Sequence, residues 1–204
     1  MLVLFLILLL AIIAFFKTDV KDKFIKPKYE NVIKSDIDYD SDGLDDYTDI
    51  LNGAKDFISK KPKYKSKYYD GGYPTDEYRV CTDIIWYALK NAGYDFKTLI
   101  DEDIKNNKDE YDEDVGDTNI DFRRVRNIKV YLDRNALKLA NDSDFNPGDI
   151  VVYKKHIAIV SDKVNSKNEN YILHQHMYQA YEYDGLFKNE ILGHYRWRLN
   201  DGKK

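Results

Sequence analysis

The stretch YYDGGYPTDEYRVCTDIIWYALKNAGYDF, residues 68–96, joins a loop rich in Gly, Pro and Asp to an apolar run with helical spacing. The apolar residues recur every three or four positions, which predicts a buried helix that ends at Gly93. They are Cys81, Ile84, Ile85, Ala88, Leu89 and Ala92. Cys81, the only cysteine, would lie in the first turn, where unpaired N–H groups and the helix dipole favour a thiolate and lower the thiol pKa below about 8.5. A lone cysteine is more often structural than catalytic, so its role depends on the rest of the chain.

The composition indicates one globular domain that does not bind nucleic acid. The chain has 204 residues, of which 32 are basic and 36 acidic, well interspersed, with a net charge of −4. Such a chain has no basic face for nucleic acid. One cysteine excludes an internal disulfide and a multi-cysteine zinc site. No internal repeat is present, and we expect a monomer.

An apolar segment precedes the domain. Residues 2–16 are continuously apolar, and Lys17 ends the run. This length fits the core of a signal peptide better than a span of roughly 20 residues. We therefore interpret residues 1–17 as a signal peptide or membrane anchor, with the domain outside the membrane, although the lysines that follow oppose this orientation under the positive-inside rule. Residues 18–37 are interpreted as a linker.

The acidic segment DYDSDGLDDYTD, residues 38–49, has the spacing of a calcium loop. Carboxylates occupy loop positions 1, 3, 5, 9 and 12, with glycine at position 6 and a main-chain carbonyl at position 7. The predicted ligands are Asp38, Asp40, Asp42, the Leu44 carbonyl, Asp46 and Asp49. Position 12 carries Asp where an EF-hand has Glu, as in dockerin-like loops. The loop predicts a structural Ca²⁺ clip; the alternative is a solvated acidic turn that caps the next helix, residues 47–58.

The rest of the chain predicts an α+β fold. Two further helices are expected at residues 96–104 and 119–135. Arg123 and Arg124 would lie in the first turn of the second helix, where cations oppose the dipole, so we expect each to face a carboxylate of the protein or of a ligand. After a turn at residues 146–149, period-two patterns predict strands at 150–153, 156–161, 171–176 and 194–199. Helices followed by antiparallel strands are typical of α+β domains.

All four histidines, His156, His174, His176 and His194, lie in these predicted strands. Alternation places His156 on the same strand face as Ala158 and Val160, and places His174 opposite Leu173. A helix that carries Cys81 at its start and packs on this sheet could bring Cys81 to His156, with His174 orienting the imidazole. This order of nucleophile, base and orienting residue is the arrangement of thiol acyl transfer.

The segments GYPTDEYRVCTDIIWYALKNAG, NIDFRRV, NPGDIVVY, HIAIVSD and LGHYRW, in this order, resemble the bacterial domain-of-unknown-function family 1287. That family is similar to the NlpC-type papain-like cysteine hydrolases, and the resemblance covers residues 45–199. It implies a papain-like α+β hydrolase domain over about residues 45–200. Cys81 would be the nucleophile, His156 the base and His174 the third residue, with Gln175 where the family shows Asn. The paired arginines match Arg123 and Arg124.

The resulting hypothesis is an exported cysteine amidase or peptidase that needs no catalytic cofactor and acts on peptidoglycan stem peptides. Arg123 and Arg124 would meet substrate carboxylates, and Tyr73 is a candidate second oxyanion donor. Two alternatives remain open. One is a non-catalytic wall-binding module on the same scaffold. The other is a zinc enzyme that uses His174 and His176 with His156 or His194.

Overall fold

The computed structural model describes residues 28–142 and 144–198, in which four helices pack on one face of a mainly antiparallel sheet. The domain is therefore mixed α and β, with the helices and the sheet in the predicted order. The apolar segment predicted as a signal or anchor, and most of the predicted linker, lie outside the described residues. Among the residues that are described, no helix is long and apolar enough to cross a membrane.

The four helices are α1 (Asp46–Ser59), α2 (Asp83–Asn91), α3 (Phe96–Asn106) and α4 (Val125–Asn135). Asp45 caps α1 by accepting the Thr48 N–H, and Asp95 caps α3 by accepting the Thr98 N–H. These short side chains satisfy N–H groups that the first turn of a helix leaves unpaired. α1 and α3 agree with the predicted helices to within two residues.

Helix α2 begins two residues after Cys81, so the expectation that this residue lies in the first helical turn needs correction. The Asp83 carboxylate accepts the Val80 N–H at 2.7 Å, and the Asp83 N–H donates to the Val80 carbonyl at 3.0 Å. These two bonds close a tight turn over residues 80–83, with Cys81 inside it. Thr82 does not cap the helix, because its hydroxyl donates to the Arg123 carbonyl at 2.9 Å.

The helix predicted over residues 119–135 is divided in two. A 3-10 segment, Asp121–Arg123, is followed by extended backbone at Arg124 (φ −105°, ψ 121°), and α4 starts at Val125. The Asp121 carboxylate accepts the Gly116 N–H and the Asn127 side chain, which holds the segment apart from the helix. Arg123 and Arg124 thus precede α4 rather than occupy its first turn.

The main sheet contains the four predicted strands and three others. Its strands are β1 (Lys28–Tyr29), β4 (Leu137–Leu139), β5 (Ile150–Tyr153), β6 (His156–Val164), β7 (Asn170–Gln175), β8 (Ala180–Tyr183) and β9 (Gly193–Arg196). Their order is β4-β9-β5-β6-β7-β8, with β1 added beside the end of β6. A separate parallel pair joins β2 (Lys63–Tyr64) to β3 (Tyr78–Arg79). His176 was predicted within a strand but lies one residue beyond β7.

The sheet has a separate apolar cluster on each face. Ile157, Ile159 and Leu173 face the helices, whereas Ala158, Val160 and Ile172 face a smaller cluster on the other side. His156 therefore shares its face with Ala158 and Val160, and His174 lies opposite Leu173, as predicted from alternation. Both imidazoles belong to the face that the helices do not cover.

Part of the predicted linker is attached to the domain. Strand β1 pairs with the end of β6, and the Glu30 N–H donates to the Asp162 carbonyl at 2.7 Å. The Ile33 N–H donates to the Asn146 side chain at 2.8 Å, and Val32 packs against the main core. Residues 28–33 are therefore hydrogen-bonded to the domain. The scattered charges of this segment did not predict this attachment.

Candidate active site

The two histidines predicted to act together are in direct contact. His156 Nε2 and His174 Nδ1 are 2.9 Å apart, a hydrogen-bond distance. His156 is the first residue of β6, and His174 is the fifth residue of the neighbouring β7, so the sheet fixes the positions of both. His156 Nδ1 is left as the nitrogen of this ring that can accept a proton from outside the pair.

Cys81 reaches the same end of β6. The backbone N–H groups of Ile157, the residue that follows His156, and of Thr82 and Cys81 lie near the sulfur and act to lower the pKa of the thiol. The cysteine is half-buried and packs against the helix-side core. The turn that precedes α2 thus places the thiol near the first residues of β6, the strand that begins with His156.

The Ile157 N–H lies where β7 no longer pairs with β6, because the pairing of these strands ends two residues away. The Val160 N–H points to the β5 side, where it donates to the Asp149 carbonyl at 2.8 Å. N–H groups of alternate residues in an antiparallel strand point to opposite neighbours, so the Ile157 N–H points toward β7. The registered pairs of β6 and β7 start only at Ile159 and Leu173.

Burial controls the protonation states of all three groups. It raises the pKa of the Cys81 thiol to about 11, although the three backbone N–H groups act in the opposite direction. Burial lowers the pKa of His156 to about 4, with a further contribution from His176, and lowers the pKa of His174 to about 3, with contributions from His156 and His176. These shifts contradict the thiolate expected for Cys81: near neutral pH they favour a protonated thiol and neutral imidazoles.

A pocket of about 580 Å³ opens on the imidazole side of the sheet. Its lining includes His156, His174 and His176, the aromatic rings of three tyrosines, and polar groups at its rim: Tyr153, Tyr181, Tyr183, Lys154, Lys155 and Glu190. The ring of His174 stacks on Tyr183 with centroids 5.5 Å apart. His174 Nε2 is buried with no hydrogen-bond partner among the described residues. Cys81 does not line this pocket.

Comparison with known proteins identifies the family. The family model described as "Domain of unknown function (DUF1287)" matches residues 51–197, which is most of the chain. The chain belongs to the DUF1287 family. It is also 32% identical over 164 residues to the uncharacterized protein YijF of Escherichia coli (strain K12), covering 72% of this chain and 80% of that protein. No solved structure matches the chain.

In this DUF1287 domain, Arg123 has an internal partner rather than a position facing the pocket. Its Nε and Nη2 donate to the two oxygens of Asp83 at 2.8 and 2.9 Å, and Nη1 donates to the Lys67 carbonyl at 3.0 Å. The side chain is 1% exposed. Arg124 is more exposed and pairs with Asp114 at 3.1 Å. The internal salt bridge is the interpretation that the structure favours for both arginines.

Tyr73 lies at the wrong end of α2 for an oxyanion donor to Cys81. Its hydroxyl donates to Asp95 Oδ1 at 3.1 Å, beyond the C-terminal end of this helix, and its ring packs edge-on against Trp86. Burial raises the pKa of its phenol. The groups that act to lower the pKa of the Cys81 thiol are backbone N–H groups, as expected for a cysteine near the start of a helix.

His194 of the DUF1287 domain does not complete a zinc site with the other histidines. His194 Nε2 lies 2.8 Å from Asp149 Oδ2, and its Nδ1 lies 2.7 Å from the Ala140 carbonyl, so both nitrogens are engaged within the core. His156 and His174 bond to each other. Within the described ranges, the one group of three or more metal-ligating side chains is formed by Asp38, Asp40 and Asp42.

The acidic loop precedes the matched family region. Asp38, Asp40 and Asp42 are exposed, and their carboxylates lie within 4.8 Å of one another. Asp49 is buried in α1, where burial and the neighbouring carboxylates, Asp42 first, raise its pKa to about 6. Asp46, a predicted ligand, is engaged elsewhere: its oxygens accept the Tyr39 N–H and the Tyr94 hydroxyl. The Leu44 N–H donates to Asp42 at 2.9 Å.

Proposed function

We propose that this protein is a cysteine amidase or peptidase with an NlpC-type papain-like fold, in which Cys81 is the nucleophile and His156 the base. The observation that supports the proposal is the contact of His156 Nε2 with His174 Nδ1 at 2.9 Å, with Cys81 close to the backbone of Ile157, the residue that follows His156. A nucleophile, a base and an orienting third group are the parts that thiol acyl transfer needs.

Because the Cys81 thiol and the His156 imidazole are both neutral, proton transfer accompanies nucleophilic attack. His156 Nδ1 takes the Cys81 proton as the sulfur attacks the amide carbon, and the carbonyl electron pair moves to oxygen. The backbone N–H of Cys81 stabilises that oxyanion. The C–N bond then breaks, and the leaving amine takes the proton from His156. Water attacks the thioester with His156 again as base, which releases the carboxylic acid and restores the thiol.

Peptidoglycan stem peptides are the substrate class that we propose, acted on outside the membrane if the apolar segment at residues 2–16 directs export. These peptides carry free carboxylates. Arg123 is buried in its ion pair with Asp83 and does not offer its charge to a substrate. The cations beside His156 are Lys154 and Lys155, which are exposed in the turn between β5 and β6 and line the pocket. Exposed ammonium groups at this place can meet a carboxylate of the substrate.

The test is digestion of purified peptidoglycan fragments by the full chain, followed by mass spectrometry. The wild type is expected to release products that differ by one hydrolysed amide, and Cys81→Ala to release none while keeping its thermal unfolding transition. Full activity in Cys81→Ala would exclude the mechanism. Binding to peptidoglycan by the wild type without any product would favour the wall-binding module instead.

A further inference from the structure

The hydrogen bond between His156 and His174 can run in either of two directions. It joins Nε2 of His156 to Nδ1 of His174 at 2.9 Å, and each neutral ring carries one proton. If His156 Nε2 donates, its Nδ1 has the free lone pair that a base needs, and the proton of His174 lies on Nε2. If His174 Nδ1 donates instead, the proton of His156 lies on Nδ1, and this ring has no free lone pair. The tautomer therefore decides whether His156 can act as a base.

The outer nitrogen of His174 has no partner that would select the productive direction. His174 is 4% exposed, and its Nε2 is buried without a hydrogen-bond partner among the described residues. In the productive tautomer this atom is an N–H donor, and a buried donor without an acceptor is costly. The hydrogen bond at one imidazole nitrogen sets the protonation of the other. An acceptor at Nε2 would therefore favour the tautomer in which His156 is the base.

The pocket of about 580 Å³ beside His174 offers a place for such an acceptor. Lys154 and Lys155 are exposed and line it, and two ammonium groups favour an anion. A carboxylate is an anion whose two oxygens both accept hydrogen bonds. Glu190, the carboxylate among the lining residues, is exposed and does not bond to His174 Nε2. The pocket thus fits a carboxylate that a ligand brings.

We propose that a free carboxylate of the substrate binds in this pocket, accepts the His174 Nε2–H and thereby fixes His156 as the base. This inference rests on the proposed function, because it concerns the tautomer of the proposed base. The carboxylate would act as the acidic group of a Ser-His-Asp triad does, which holds the imidazole in the correct tautomer and stabilises the imidazolium that forms. Cys81 does not line the pocket, so the carboxylate binds apart from the reacting amide.

Access to His174 Nε2 depends on the tyrosines that cover the ring. The rings of Tyr181 and Tyr183 lie against His174 with centroids 4.8 and 5.5 Å away, and both residues line the pocket. Tyr183 stacks parallel to the imidazole, whereas Tyr181 packs against it at a steep angle and is partly exposed. Because Nε2 is buried, binding of the carboxylate requires the Tyr181 side chain to turn outward.

The direct test is ¹⁵N NMR of the histidine rings in the Cys81→Ala full chain, titrated with sodium propionate and, separately, with its neutral isostere propionamide. Propionate is expected to bind at least about 10-fold more tightly and to convert both rings to the tautomer protonated at Nε2. Replacing both pocket lysines, Lys154→Met with Lys155→Met, should weaken this binding about 10-fold. Lys167→Met, at an exposed position in the turn between β6 and β7, should not. Rings already fixed at Nε2 without ligand, or an equal response to both compounds, would overturn the proposal.

A second measurement separates this inference from the proposed function. The wild type should cleave peptidoglycan fragments that carry free carboxylates at least about 100-fold faster than the same fragments with their carboxylates converted to amides. Equal cleavage of both would overturn the role of the carboxylate and leave the proposed hydrolase intact. Cleavage of neither, together with the expected response to propionate, would reject the hydrolase and support a carboxylate-binding pocket.

Discussion

Cys81 is surrounded by backbone N–H groups that favour its thiolate, yet burial outweighs them and raises the pKa of the thiol to about 11. His156 is affected in the opposite direction, because burial disfavours its imidazolium. In the proposed mechanism the two residues therefore react as a neutral pair, with proton transfer during attack. This differs from the thiolate and imidazolium pair that a cysteine at a helix start would suggest.

The first prediction concerns alkylation of Cys81. Near pH 7 a thiol with a pKa of about 11 is ionised in roughly one molecule in ten thousand, so iodoacetamide should react slowly and the rate should rise steadily up to pH 10. His156→Ala should leave this profile unchanged, since neither group is charged. A reactive thiol near pH 6 that is lost in His156→Ala would show an ion pair instead.

The second prediction concerns His174 as a positioning residue. His174→Leu removes the partner of His156 Nε2 and should lower kcat about 100-fold with little change in KM, because the base loses its orientation. His174→Gln keeps a polar group at this place and should retain more of the activity. Equal losses in both variants, with a matching fall in Tm, would indicate a role in folding alone.

At the scale of elements, the Asp83 carboxylate at the start of α2 holds together the turn that carries Cys81. It accepts hydrogen bonds from Nε and Nη2 of Arg123, from the Trp86 indole N–H at 2.9 Å and from the Val80 N–H at 2.7 Å. All of these contacts are buried or half-buried. Arg123 therefore helps to fix the backbone turn that positions Cys81, the proposed nucleophile.

The third prediction follows from this ion pair. Arg123→Met leaves the Asp83 charge buried and should lower the free energy of unfolding by about 3–5 kcal/mol, measured by urea denaturation. The matched control is Arg124→Gln, which removes a partly exposed pair and should cost less than about 1 kcal/mol. If Arg123 instead contacted substrate, Arg123→Met would raise KM and leave stability unchanged.

Helices and strands whose apolar residues recur at one regular spacing could be predicted from the sequence. Elements held in place by side chains distant in the sequence could not. The alternation of side chains along a strand predicts β5 (Ile150–Tyr153) and the strand that begins at His156. It also predicts the sheet face on which each of the two histidines lies. The break at Arg124 depends on contacts that Asp121 makes elsewhere, and β8 (Ala180–Tyr183) has a polar face that hides its period. The internal partner of Arg123 likewise lies 40 residues away in the chain.

For the whole molecule, the two buried imidazoles link folding to pH. The pKa of His156, about 4, and that of His174, about 3, lie below the ordinary value of 6.5. Below pH 6.5 the unfolded chain binds more protons than the folded one, so the free energy of unfolding falls as the pH is lowered toward 4. The raised pKa of Asp49, about 6, has the opposite sign over the range 3.8 to 6.

The fourth prediction isolates the histidine contribution by comparing wild type with His174→Gln in EDTA at each pH, so that the contribution of Asp49 cancels. The stability difference between the two proteins should change by roughly 2–3 kcal/mol between pH 7 and pH 4, with the wild type losing more. Urea unfolding followed by Trp fluorescence measures it. A difference that is constant with pH would mean that His174 is not held neutral in the fold, and the neutral pair proposed for catalysis would then lose its support.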